Sequence, residues 1–515
     1  MADVARVAVR LSDRDERLSE ASAQGWGCNK VDGLTAVAFS YLALPNLIFL
    51  FGWLRWPAAL VLCGALSHLL FRALATRPLA WHLDYAPAAT LMIIAAGAVW
   101  AAFGGGSHFV YANPDWQVRD AVLGDLVFAD WPVHYLSPEG AELILRSAIG
   151  YFLPPAVFGR IFGIEYLDIA IYVWTSAGVL IFLFLLPLPR QAGWPLAWGL
   201  LLAVFFSGMD FVGQIIATES LPLFPLRLEW WVPLSYPSLT NQLLWAPNHC
   251  LPIWIASVLV LRHLHSPDFL RMSTALLPLT LIWTPFAAIG LLPFVVLGAV
   301  KSFRHRPRRH LPFDAVASGM VYAVPLIIFL TLDANRISAG LATSAPAGIV
   351  SYTMQKASIH SYLLFVTCEF LFLALVLAPH LRRSRDVFGL AVLVLLSLPL
   401  IRFGVHNDGL LRLSTPALIV LLVACLQTLL ESGRPLSRST LGVACLFLVV
   451  GAHTAFNEFW RAATYPRTPA DYRLTLADRQ DGRPATHYVG QLGSSAASMW
   501  LKPLGRPASK AGRIP

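Results

Sequence analysis

Six acidic side chains, Asp115, Asp120, Asp125, Asp130, Glu139 and Glu142, fall within 28 residues, beside Arg119, Arg146, Trp116 and Trp131. A carboxylate in such a setting can act as a general base on a hydroxyl or as a ligand for a hard cation. If residues 115–126 form one helix, Asp115 and Arg119 share a face at i,i+4. Asp125 then lies about 15 Å further along the axis, so Asp115 and Asp125 cannot chelate one ion. A second carboxylate near Asp115 has to come from another loop, and Asp210, Glu219, Glu229 and Asp408 are the candidates.

Two further constellations stand out. Trp245-Ala246-Pro247-Asn248-His249 turns from a polar loop into an apolar run. A histidine there is commonly just a satisfied interfacial residue, but Asn248 and His249 together can bind a polar substrate. Arg402, His406, Asn407, Asp408 and Arg412 crowd a short turn between two apolar runs. Charge at membrane depth is costly, and two arginines with a histidine suit a phosphate, which arginine holds bidentately.

The elements that must position these groups are membrane helices. Of 515 residues, 57% are hydrophobic and 13% charged, against about 25% charged in a soluble domain, and the mean hydropathy is +0.62. An ordinary globular enzyme is thereby excluded. The net charge of +9 reads as topology and gives no support to nucleic-acid binding. Spans are expected at 34–54, 56–75, 86–103, 166–187, 194–208, 250–263, 314–332, 361–379, 387–401, 413–430 and 439–456. Thr274–Val300, with Trp283-Thr284-Pro285 near its middle and basic residues at both flanks, reads as a hairpin of two short helices. The fold class is therefore an all-α polytopic bundle of about 13 membrane segments with long outer loops carrying short helices.

The positive-inside tendency places residues 1–32 in the cytoplasm, the polytopic domain at 33–456, and the tail 457–515 in the periplasm. The three longest loops, 104–165, 209–249 and 333–360, then face outward. Residues 1–32 lack a signal peptide's apolar core. Most of the six cysteines lie in apolar runs, so no disulfide framework is expected. The sequence carries no Walker loop, no GxGxxG after a strand, no HExxH and no CxxC pair. Nucleotide hydrolysis, dinucleotide redox and a recognised zinc site lack support, so energy or an activated group has to come from elsewhere, and for an outward-facing enzyme a lipid-linked donor made in the same membrane is the natural supply.

The block Asn113-Pro114-Asp115-Trp116, Arg119-Asp120-Ala121-Val122-Leu123, Asp125-Leu126, Trp131-Pro132-Val133 and Tyr135 resembles the first outer loop of bacterial polytopic proteins similar to GT-C glycosyltransferases. Gly208-Met209-Asp210, Glu229-Trp230-Trp231, the Trp245–His249 block, and Asn407-Asp408 with Arg412, Ser414 and Pro416 follow in the same order. The chain departs from the group's pattern at Val118 and Arg119, where a lysine and a histidine are usual. The resemblance implies a polyprenyl-phosphate sugar donor and no nucleotide cofactor. It also implies that Asp115 is the general base or a ligand of a divalent metal, Mg or Mn.

By the same resemblance, basic residues take the leaving lipid phosphate. Combined with the reading above, the substrate-binding candidates are Arg119, Asp210, Glu229, Asn248, His249, Arg402, His406, Asp408 and Arg412. The expected activity is transfer of a sugar to a glycan or glycolipid acceptor by an inverting hexosyl- or pentosyltransferase of the bacterial inner membrane, with its site facing the periplasm. The alternatives are an O-antigen-type polymerase or ligase, and a transporter or flippase of lipid-linked sugar.

Overall fold

The computed structural model describes residues 32–75, 84–221, 229, 234–305, 312–332, 359–381, 384–401, 407–430, 437–480, 484, 487–493 and 495–509. Nearly all of the amino-terminal segment 1–32, most of the loop 333–360, Trp230-Trp231, Arg402 and His406 lie outside the described residues.

The helices in chain order are α1 Gly33–Trp53, α2 Trp56–Leu74, α3 Pro87–Ala102, α4 Asp115–Phe128, α5 Leu153–Phe162, α6 Leu167–Leu185, α7 Trp194–Phe205, α8 Asp210–Thr218, α9 Leu239–Trp245, α10 Pro247–His263, α11 Phe269–Thr280, α12 Pro285–His305 and α13 Phe313–Leu330. α14 Ile359–Val366 runs through a π-helical turn, Thr367–Leu371, into α15 Phe372–Leu377. α16 Arg385–Ser397, α17 Asp408–Leu413, α18 Thr415–Leu430, α19 Arg438–Thr464 and the short α20 Leu476–Arg479 complete the set.

Among the described residues, eight helices are long and apolar enough to cross a membrane: Gly33–Trp53, Trp56–Leu74, Ile164–Leu185, Pro285–Arg304, Phe313–Leu330, Ile359–His380, Gly409–Leu430 and Arg438–Thr464. α7 and α8, bent by 40° at their junction, make a ninth if they count as one span. This corrects the expectation of about 13 segments. A 30 Å hydrocarbon core needs about 20 apolar residues in a helix, whereas α3 has 16, α10 has 17, α11 has 12 and α16 has 13. α10 shows why the sequence overcounts. It is buried on nearly every side by other helices, and an apolar run facing protein reads the same as one facing lipid. The break expected near Trp283-Thr284-Pro285 is present, but its arms are unequal: α11 is too short to cross and α12 is long enough to cross alone.

A small antiparallel sheet also departs from the all-α expectation. β1 (His134–Leu136) pairs with β2 (Glu142–Leu145), and β2 pairs with β3 (Val489–Gln491) from the carboxyl-terminal region, with Ile144 opposite Gly490. Gly490 is required there, since a Cβ would sit 2.9 Å from both Arg146 Nε and the Leu332 Cβ. The tail is pinned elsewhere too. The Leu476 amide donates to Asp125 Oδ2 at 2.9 Å, the Tyr472 hydroxyl donates to Asp168 Oδ1 at 2.6 Å, and Leu54 bridges Leu501. α4, the sheet and the tail thus form one layer at the end of the bundle where α1 finishes.

Candidate functional site

α4 is seated by the residues just before it. The Asn113 side chain accepts from the Asp115 amide at 3.0 Å and donates to the Leu244 carbonyl at 2.7 Å. The same carbonyl accepts from Trp116 Nε1 at 3.2 Å. Gly105 and Gly106 make room for that indole: at Gly105 φ is +76°, and a Cβ on Gly106 would meet the Trp116 ring at 2.4 Å. Leu244 is the penultimate residue of α9, and two residues after Trp245 α10 begins with Pro247, Asn248 and His249. Two blocks distant in sequence are therefore fastened to one carbonyl.

Asp115 is the exposed member of this assembly, with 54% of its side chain accessible, while the Arg119 side chain is 8% accessible. Arg119 Nη2 donates to Asp115 Oδ2 at 3.3 Å, one helical turn away, and its guanidinium lies 5.2 Å from the Trp116 ring centre. Arg119 Nη1, Asn248 Oδ1 and His249 Nδ1 are all buried without a hydrogen-bond partner. Buried polar atoms are nearly always paired, so three unpaired ones around one junction mark a place that a polar ligand would complete.

The third constellation reaches the same place. Arg412, on α17, places its guanidinium 5.2 Å from the Phe286 ring centre, and His249 meets the same ring edge-on at 6.5 Å. Phe286 opens α12. One turn later, Gly290 lets α17 approach so closely that a Cβ would be 3.2 Å from the Leu413 carbonyl oxygen. Burial, then the charges of Arg412, Arg119 and His487, hold the His249 imidazole well below its usual pKa, so it is neutral at pH 7. Asn407, buried and left-handed with φ +53°, starts the turn into α17. Asp408 begins that helix, but its side chain is outside the described residues, as are Arg402 and His406.

The other acids do different work. Asp120 pairs with His108 at 3.1 Å, and Asp125 accepts from the Tyr135 hydroxyl at 2.7 Å as well as from the tail. Asp210, fully buried, accepts from Ser207 Oγ at 3.2 Å and Thr454 Oγ1 at 2.9 Å. Glu229 Oε1 accepts from the Ser238 amide at 2.9 Å and its hydroxyl at 2.8 Å, and Oε2 from Asn241. Burial, and then the carboxylates of Asp210 and Glu458, push the Glu229 carboxyl well above the usual range. Glu219 ends α8 in the left-handed region, exposed.

Among the described residues, no three or more His, Cys, Asp or Glu side chains are grouped so as to hold a metal ion. The expected Mg or Mn at Asp115 is corrected accordingly: the charged partner of that carboxylate is the Arg119 guanidinium.

Sequence reasoning missed three contributors. Phe286 sits in an apolar run with nothing to distinguish it. His487 comes from the tail, 238 residues beyond His249, and arrives with the β2–β3 pairing and the Tyr488 carbonyl, which accepts from the Arg146 and Ser147 amides. Glu369 was legible, as an acid inside an apolar stretch. It lies in the π turn of the Ile359–His380 span, buried, with both carboxylate oxygens lacking a hydrogen-bond donor, and a Cβ on Gly208 would collide with it at 2.4 Å.

The chain is a multi-spanning helical membrane protein. No family model, no curated protein sequence and no solved structure matches it.

Proposed function

We propose that the protein is an inverting membrane glycosyltransferase of the GT-C kind, moving a sugar from a polyprenyl-phosphate donor to a hydroxyl of a glycan or glycolipid acceptor. The observation that carries this reading is the convergence of an exposed carboxylate, Asp115, with Arg119, Asn248, His249 and Arg412 around one set of unpaired polar atoms. In the reaction, Asp115 takes the acceptor proton as the acceptor oxygen bonds to the sugar C1. The bond from C1 to the phosphate oxygen breaks, and polyprenyl phosphate leaves with the electron pair. Arg119 and Arg412 meet the growing phosphate charge, and neutral His249 supplies a ring N–H without competing for the acceptor proton. The cleft faces the periplasmic side of a bacterial inner membrane, in accord with the basic residues that flank the opposite helix ends.

The test is release of free polyprenyl phosphate from a panel of polyprenyl-phosphate sugars by protein in nanodiscs, with Asp115→Asn as the control. Turnover by wild type and its loss in the variant are expected. Equal turnover in both removes Asp115 from the reaction, and no turnover with any donor removes the reading.

A transporter of lipid-linked sugar is the second reading, and Glu369 favours it, because an ionisable group buried inside a span is commonly part of a transport path. Flux of labelled donor across proteoliposomes without product, abolished by Glu369→Gln, would select it.

A further inference from the structure

A groove of about 550 Å³ lies at the other end of α4 from Asp115, lined by Leu47, Ile48 and Phe51 of α1, Trp131, Val157 and the cations Arg160 and Lys502. α4 has 14 residues and is roughly 20 Å long by its rise, so a headgroup here does not reach the Asp115 cleft. The groove is a separate site.

Its surroundings place it at the membrane surface. α1 is a spanning helix, and Phe51, near its end, is 54% exposed. α5 buries Leu153, Pro155, Ala156 and Gly159 and presents Phe158, Ile161 and Phe162 outward. That is the pattern of a helix lying in the interface with its apolar face in lipid. Gly159 allows it to dock tightly, since a Cβ would meet Leu167 at 2.5 Å.

Two cations crown this apolar wall. Arg160 stacks 4.4 Å from the Trp131 ring centre, its Nε donating to the Leu126 carbonyl at 2.8 Å and its Nη2 to the Ala129 carbonyl. Lys502 Nζ donates to the Phe51 carbonyl at 2.6 Å, leaving two further N–H groups. Backbone carbonyls fix the position of each charge, and the Asp130 carboxylate lies close enough to Arg160 to support its charged form, so Lys502 is the main anchor for an anion.

We infer that this groove binds an anionic bilayer phospholipid. Its phosphodiester meets Lys502 and Arg160, and an acyl chain lies along Leu47, Ile48 and Phe51. A zwitterionic lipid satisfies the wall but brings its own cation to the rim, so the expected preference is for net negative headgroups. The bound lipid ties together two joints already made by these cations: Arg160 holds α5 to the α4 terminus, and Lys502 holds the tail to α1.

Native mass spectrometry of the full chain, released from nanodiscs of equal phosphatidylglycerol and phosphatidylcholine, tests the inference. Wild type is expected to retain phosphatidylglycerol in excess, and Lys502→Gln to lose about fivefold of that excess, the share of one surface cation. Gln keeps a donor for the Phe51 carbonyl, so the fold is retained. Lys502→Glu is expected to abolish the preference, and its circular dichroism and elution profile report whether it still folds. Equal retention of both lipids by wild type, an unchanged preference in folded Lys502→Glu, or displacement of the lipid by millimolar inorganic phosphate would each overturn it.

Discussion

The proposed site around Asp115 and the buried acid group around Asp210 are built from similar ingredients, charged residues at or near the ends of apolar helices, yet they differ in how open their acids are to solvent. Around Asp210 and Glu229 the carboxylates are sealed and accept from Ser207, Thr454, Ser238 and Asn241. At the cleft the carboxylate of Asp115 is open, and three buried polar atoms beside it have no partner. Unpaired buried atoms occur in both regions, since Glu369 beside Asp210 has them too; what differs is that the acid at the proposed site is open to solvent while those around Asp210 are sealed.

The sharpest break of this comparison is to neutralise one acid from each region. Asp115→Asn keeps the shape of the side chain, and turnover is expected to fall by on the order of 10² to 10⁴ with melting unchanged. Glu229→Gln should leave turnover nearly intact. Comparable activity losses in both variants would erase the distinction.

Arg412 sharpens the cleft side. Donor binding, measured by titration in nanodiscs, is expected to weaken by roughly 1.5–3 kcal/mol in Arg412→Ala, the worth of a charge-assisted hydrogen bond, and by less in Arg412→Lys, which keeps charge but not the fork. Unchanged affinity in Arg412→Ala would move the phosphate elsewhere.

On the acid side, Glu229→Ala leaves the Ser238 amide and hydroxyl without their acceptor, at a cost of about 1–3 kcal/mol. Chemical denaturation in detergent reads this, and a loss near zero would show the group to be solvated.

The regions should also answer pH in opposite senses. The Glu229 carboxyl is raised, so its stabilising contribution is complete below the usual glutamate value and is lost as pH climbs through the raised one. His249 is depressed, so its contribution is present above about pH 6.5 and is lost as pH falls through the lowered value. Melting temperature against pH should therefore flatten on the alkaline side in Glu229→Gln and on the acid side in His249→Gln. Parallel curves for both variants and wild type would contradict these assignments.

The smallest effect belongs to Phe286, the ring shared by Arg412 and His249. Phe286→Leu keeps most of the apolar volume and removes a cation–π contact of about 0.5–2 kcal/mol. A several-fold rise in KM with little change in kcat is expected, and a fall in kcat alone would place the ring differently.

Much of α4 was legible from spacing: Asp115 and Arg119 do share a face at one turn, and Asp125 does sit far along the axis from Asp115. The Trp245–His249 block was legible as a unit because proline and asparagine mark a helix start. Arg412 was picked out by its charge, but its partners were not, since Phe286 and His249 come to it only through the close approach at Gly290. The count of spans failed at α10 and α11 because hydropathy records aversion to water and is silent on whether lipid or protein replaces it, and at α3 and α16 because the helices are shorter than their apolar runs promised. The packing of the tail was not legible, because nothing local in residues 487–491 announces a partner strand more than 340 positions earlier.

That strand has a consequence for the order of assembly. The hydrogen bond from Leu476 to Asp125 closes a loop of 351 residues, and His487 arrives beside His249 with the third strand. Contacts so distant in sequence form late. On a translating ribosome, every spanning helix is made before the last strand emerges, so the nascent bundle passes through a stage in which its membrane part is finished and its cleft is not. A chain interrupted in that interval would be inserted in the membrane but would lack the layer that its tail completes, an intermediate written into the order of synthesis.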